Sequence, residues 1–84
     1  MRAAFLMAPQ HIELRDVSEP SAPPDGLILD VRSCGVCGSD VRRWREGPAS
    51  AAQVMTPGHE VAGVVAQVSA SVTGFAVGDR LALA

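Results

Sequence analysis

Short apolar stretches along the chain are separated by clusters of Pro, Gly and small polar residues, and their periodicity predicts strands rather than long helices. Met1 to Leu6 reads as a first strand, with residues 8–10 (Ala-Pro-Gln) as a turn. From His11 to Val17, the apolar Ile12, Leu14 and Val17 stand against Glu13, Arg15 and Asp16. That imperfect alternation fits a half-exposed antiparallel partner strand, and His11 is read as a solvated residue at its start. Pro20, Pro23 and Pro24 cannot donate to a sheet ladder, so Ser18 to Asp25 is an extended connection. Gly26 to Ser33 alternates Leu27, Leu29 and Val31 against Ile28, Asp30 and Arg32, which gives a strand with one apolar face that ends at the Cys34-Gly35 break.

A short helix is predicted from about Ser39 to Glu46, with Ser39 or Asp40 as its N-cap and Gly47-Pro48 as its stop. Cys37, Val41 and Trp44 recur at helical spacing on one side, where Trp44 is a packing anchor, and Arg42, Arg43, Arg45 and Glu46 fall largely outside that stripe. Residues 48–56 form a loop, and Thr56-Pro57-Gly58 turns the chain into a strand starting at His59. Val61 to Val68 is apolar except for Gln67, the pattern of a strand covered on both faces, and Gly63 marks a bend or a close backbone approach. A polar loop and a tight Gly78-Asp79 turn lead into a last strand, Arg80 to Ala84. These elements together predict a mostly-β, barrel-like domain with one short helix.

Composition narrows the class. Eighty-four residues make one small domain, which buries roughly 60–65% of the surface its unfolded chain exposes. With 48% hydrophobic and 19% charged residues, the chain has a globular rather than a disordered make-up. A net charge of −2 gives no reason to expect nucleic acid as a partner, and Arg42, Arg43 and Arg45 are read as a solvated helix face rather than a phosphate-binding patch. No apolar run approaches the roughly 18 residues that span a bilayer, and the N-terminus lacks the pattern of a secretion signal. Two cysteines spaced C-x-x-C then suggest a reducing, cytoplasmic setting.

The chemistry concentrates in two segments, Cys34-Gly35-Val36-Cys37-Gly38-Ser39-Asp40 and Pro57-Gly58-His59-Glu60. A thiolate from Cys37 and an imidazole from His59 suit zinc. Cys37 sits just before a predicted helix start, where unpaired amides favour the anion. Glu60 offers a further carboxylate, and Asp40 is placed to accept the imidazole N–H of His59 and fix its tautomer. Taken alone, C-x-x-C also allows a redox dithiol or half a zinc knuckle. The second pair of a knuckle and the βαβ setting of a thioredoxin-like fold are both missing, so Cys34 is read as a small buried residue beside the site.

GVCGSD followed by GHE resembles the catalytic-zinc region of the zinc-dependent medium-chain alcohol and polyol dehydrogenases, and Val77-Gly78-Asp79-Arg80-Leu81 is similar to that family's G-D-R-V strand start. The resemblance runs over nearly the whole chain. It implies a GroES-like partial β-barrel, with residues 1–84 as the N-terminal part of the catalytic domain. It further implies Cys37, His59 and Glu60 at zinc, with one more ligand lying beyond Ala84, and Ser39 as the hydroxyl that bonds the alcohol and passes its proton outward. The activity implied is oxidation of a small alcohol or polyol through a zinc alkoxide, with hydride transfer to NAD or NADP and a homo-oligomeric state as in relatives. Many relatives carry a His at the outer relay position, where this chain has Arg42. Arginine stays protonated, so the relay ends at solvent or runs through the cofactor ribose; pairing of Arg42 with a cofactor phosphate is the weaker reading.

No G-x-G-x-x-G strand–turn–helix unit occurs, so the dinucleotide site, and with it any Rossmann domain, lies outside this chain. The chain therefore reads as a truncated piece of a longer dehydrogenase, inactive by itself. The alternative is a free-standing zinc-binding module without catalysis. A co-chaperonin-like oligomer and zinc-free quinone reductases are disfavoured, because neither needs a thiolate and an imidazole in these motifs.

Overall fold

Among the described residues the strands are β1 (Arg2–Ala8), β2 (His11–Asp16), β3 (Leu27–Gly35), β4 (Glu60–Val68) and β5 (Arg80–Leu83), with one helix, α1 (Gly38–Glu46). The computed structural model describes residues 1–50, 54 and 56–83, so part of the expected 48–56 loop and the last residue of the expected final strand lie outside it. The chain divides into two units, one formed by Met1–Glu19 with Val36–Gly58, the other by Pro20–Gly35 with His59–Ala84. No described helix is long and apolar enough to cross a membrane.

In the first unit β1 and β2 form an antiparallel ribbon, with Leu6 opposite Ile12 and a register shift that leaves Met7 unpaired. Leu6 is its buried residue, 1% exposed. The turn at Pro9-Gln10 supports the helix: the Gln10 N–H donates to the Trp44 carbonyl at 2.7 Å. Gly47 ends α1 with φ 76° and an N–H bond to Arg43 O at 2.8 Å, the left-handed conformation that glycine tolerates best. It lies so near Pro9 that an added Cβ would stand 2.6 Å from the Pro9 nitrogen. The predicted Gly47-Pro48 stop is thus also the seat of the helix on the hairpin. Trp44 is only partly covered, at 39% exposure, and α1 contains no buried residue.

The partner strand departs from its expected burial. Ile12 is 46% and Leu14 65% exposed, whereas Glu13 is half-buried. Leu6 shares the face of Ile12 and Leu14 and is buried, so cover on that face lies over β1 and leaves the β2 residues open. The opposite face is closed by side chains: Arg15 donates to Glu13 at 3.0 Å, His11 pairs with it at 3.3 Å, and the Arg15 guanidinium lies 5.7 Å from the Phe5 ring centroid. Long polar side chains laid along a strand cover surface that alternation alone assigns to solvent.

The second unit is a three-stranded antiparallel sheet in the order β3-β4-β5. The apolar run of residues 61–68 lies in its central strand, as its composition suggests, but it is not covered on both faces. Gly63 and Val65 are buried on one face, while Ala66 and Gln67 are exposed. Hydrogen bonding on both edges, rather than burial on both faces, accounts for the run's position. Two register shifts bend the β3–β4 pair, between Ile28 and Leu29 and between Val31 and Ser33. The expected close approach at Gly63 is present beside the second shift: a Cβ there would overlap the Asp30 carbonyl oxygen and stand 3.0 Å from Val31 Cα.

The proline-rich connection lacks amide donors but keeps its carbonyls. Ser69 and Ser71 donate to the carbonyls of Pro23 and Pro24, and the Ser69 N–H bonds Gly26 O at 3.0 Å. The Gly78-Asp79 turn is closed by the Asp79 carboxylate, which accepts from the Ala76 N–H at 2.8 Å. Val65 N–H to Asp79 O and Gly78 N–H to Val65 O, at 2.8 and 2.9 Å, carry the pairing into β5.

Two outcomes test this packing. Gly63→Val drives two methyls into the β3 backbone, and overpacking of this kind costs about 1–3 kcal/mol; urea denaturation is expected to show a clearly lowered midpoint, and an unchanged midpoint contradicts the close approach. The Arg15 and His11 hydrogen bonds hold the Glu13 carboxyl below the ordinary carboxylate value. Their contribution is present above the unfolded-state pKa and is lost as pH falls through the lowered folded value. Carbon-13 NMR of the Glu13 carboxyl is expected to show that low midpoint, moving upward in Arg15→Ala.

Candidate functional site

The first motif straddles the end of β3 and the start of α1. Helix N-termini leave four amides without partners inside the helix, and this sequence supplies its own. Cys37, not Ser39 or Asp40, is the N-cap, with extended backbone at φ −115° and ψ 177°. Asp40 stands at the third helical position, where its carboxylate accepts the Cys37 N–H at 3.0 Å. The result is a capping box with a sulfur in place of the usual Ser or Thr oxygen. The signal was present in the spacing, since C-x-x-D has the form of S/T-x-x-E. Ser and Asp are simply stronger N-cap residues than Cys, and propensity hid the pattern.

The cap fixes three of the candidate groups. Cys37 and Asp40 are half-buried, and the Cys37 Sγ and an Asp40 carboxylate oxygen lie within 4.8 Å of each other. Ser39 projects from the first turn, its Oγ 2.9 Å from Cys37 Sγ, with either atom able to donate. Arg42 follows one turn later, exposed, on the same flank as Ser39.

Cys34 does not take the buried place expected of it. It is an exposed thiol on β3, opposite Val61, and its sulfur contacts the Gly35 carbonyl at 3.6 Å. The outer half of β3 is exposed from Asp30 to Gly35, so a cysteine there is not enclosed. No disulfide joins Cys34 and Cys37 in this structure.

The second motif lies in the other unit. Gly58 turns with φ 104°, His59 follows it as an exposed residue, and Glu60 begins β4. Glu60 pairs with Gly35, and its side chain lies along that glycine: a Cβ on Gly35 would come within 3.0 Å of Glu60 Oε2. Gly35 thus leaves room for the carboxylate to lie on the strand.

The donors suit zinc in type. Zinc is bound by thiolate, imidazole and carboxylate groups, usually four in tetrahedral array, and a half-buried sulfur with a carboxylate inside 4.8 Å offers two donors of those types. The Asp40 oxygen that holds the Cys37 amide makes this carboxylate a brace for the sulfur.

Residues 23–84 match the family described as the alcohol dehydrogenase GroES-like domain. Sorbitol dehydrogenase of Gallus gallus is 40% identical over 75 residues, which cover 86% of this chain and 21% of that protein. Among solved structures, 2R,3R-butanediol dehydrogenase of Bacillus subtilis superposes with a TM-score of 0.83 at 29% identity, over 96% of this chain and 26% of that one. A protein of Sinorhizobium meliloti 1021 assigned as a zinc-binding dehydrogenase, bound to NADP, gives 0.79 at 34% identity, over 94% and 23%. The chain spans about a fifth of the length of the curated relatives it matches. With strands dominant, open sheets and one helix, and with a match covering most of its length, the chain belongs to the alcohol dehydrogenase GroES-like domain family.

Proposed function

We propose that the chain supplies the zinc-binding part of the catalytic domain of a nicotinamide-linked dehydrogenase acting on a small alcohol or polyol. The observation that carries this reading is the Cys37 cap, which holds a thiol, a hydroxyl and a carboxylate together in one helical turn. The relatives' names, sorbitol dehydrogenase and butanediol dehydrogenase, support the substrate class. The NADP-bound neighbour supports the cofactor class, NAD or NADP. The setting proposed is reducing and cytoplasmic, one in which thiol ligands stay available to a metal.

In this proposal Cys37 and His59 hold zinc, with Glu60 as a further carboxylate ligand and the last ligand outside these residues. Zinc would supply Lewis acidity, lowering the pKa of an alcohol hydroxyl. Asp40 orients the site: it fixes the Cys37 backbone, and its remaining lone pairs can accept the ring N–H of His59. Ser39 Oγ accepts the alcohol proton and gives its own to solvent, which its exposed position reaches directly. Arg42 takes no part in that transfer, because a guanidinium keeps its protons. A free-standing zinc-binding module without catalysis remains the second reading, favoured by the same cap geometry, which needs no substrate.

Metal analysis after dialysis against zinc separates the arrangements. About one zinc per chain is expected, lost in Cys37→Ser and kept in Cys34→Ser; loss in both variants points instead to a Cys34–Cys37 site, and no zinc in the parent chain overturns the proposal. The 84-residue chain is expected to show no alcohol-dependent reduction of NAD or NADP, and measurable turnover would contradict its role as one part of a catalytic domain.

A further inference from the structure

Arg2, Arg42, Arg43, Arg45 and Arg80 have no carboxylate partner among the described residues, and Arg42 and Arg43 differ from the other three in their place on α1 beside a hollow. Arg15 and Arg32 each have one, Glu13 and Asp30, at 3.0 Å. Among the described residues Arg42 and Arg43 make no such ion pair. Both instead line an open hollow of about 480 Å³, together with Ser39, Glu46, Pro48 and Ala49. Ser39, Arg42, Arg43 and Glu46 are spaced i, i+3, i+4 and i+7, so one helix face forms the wall. Arg45 does not line it.

The hollow starts where the proposed chemistry ends, since its Ser39 Oγ is 2.9 Å from Cys37 Sγ. Two guanidinium groups against one carboxylate leave its wall with a net charge of +1. Guanidinium forks match the oxygen geometry of phosphate, and they give up their water more readily than an ammonium does.

We propose that this hollow receives a phosphate group carried by the ligand, with Arg42 and Arg43 donating to its oxygens and Glu46 bounding the far side. The phosphate belongs either to a phosphorylated polyol, whose hydroxyl then reaches Ser39, or to the nicotinamide cofactor. The proposal rests on the dehydrogenase reading only for the identity of that molecule. Binding of the phosphate itself does not require zinc.

The test is a nitrogen-15 NMR titration of the full chain with inorganic phosphate, against sodium chloride at equal ionic strength. Saturable shifts are expected at the Arg42 and Arg43 side-chain Nε–H groups and at the Ser39 amide. Loss of one charge-assisted contact weakens binding on the order of tenfold. That loss is expected for both Arg42→Gln and Arg43→Gln, with less than about a twofold change for Arg45→Gln. Arg42→Lys, which keeps the charge but not the fork, is expected to fall between, and its amide spectrum reports whether the fold is intact. Tighter binding of glycerol 3-phosphate than of free phosphate assigns the group to substrate; tighter binding of NADP than of either assigns it to cofactor. Shifts that do not saturate, an equal response to chloride, or an Arg45→Gln loss as large as that of Arg42→Gln overturns the proposal. Zinc content measured on the same samples keeps the two readings apart: zinc retained without phosphate binding overturns only this one, and phosphate binding without zinc overturns only the metal site.

Discussion

The hydrogen bond from the Cys37 amide to the Asp40 carboxylate is the constraint on which the first motif depends. A helix needs partners for its first amides, and a reactive sulfur needs a fixed position. One carboxylate meets both needs here, because the N-cap residue and the sulfur-bearing residue are the same. Closing the first turn holds Sγ, Ser39 Oγ and the Asp40 carboxylate near one another. Without that bond the amides of Asp40 and Val41 would still tie the Cys37 carbonyl to the helix, but the Cys37 N–H would lose the carboxylate that closes the cap.

Glycines allow the close approaches elsewhere, each through contact with a specific neighbour. Gly47 lets the helix end rest on Pro9 of the hairpin turn. Gly63 lets the central strand meet the β3 backbone at a register shift. In a chain with little buried apolar surface, such backbone contacts and the serine bonds to the proline carbonyls give order that a larger core would otherwise supply.

Much of this was legible in the sequence. Alternation and Gly/Pro punctuation located the strands to within a few residues, and Gly47-Pro48 marked the helix end, because those signals are local. The failures share a cause in what single residues cannot say about their neighbours. Ile12 and Leu14 alternate as buried residues should, yet the cover on that face buries Leu6 of β1 and leaves them exposed. The 61–68 run looked doubly covered because it is almost unbroken apolar; it is central in its sheet by hydrogen bonding, yet Ala66 and Gln67 are exposed. Cys34 was assigned an interior place once the knuckle and redox-dithiol readings were set aside, yet it lies on the exposed outer half of β3. The N-cap was misplaced because a weak capping residue won through the partner three positions on. The hollow beside Arg42 and Arg43 was invisible in the charge pattern, which shows three arginines alike.

The central claim is that the capped Cys37, and not the C-x-x-C pair, delivers sulfur to a metal together with an imidazole. X-ray absorption at the zinc edge of the zinc-loaded chain tests this most directly. The account predicts one sulfur at about 2.3 Å with nitrogen or oxygen neighbours at about 2.0–2.1 Å and the multiple-scattering signature of imidazole. Two sulfurs at that distance would place zinc on Cys34 and Cys37, and a shell without sulfur would remove Cys37 from the metal; either contradicts it.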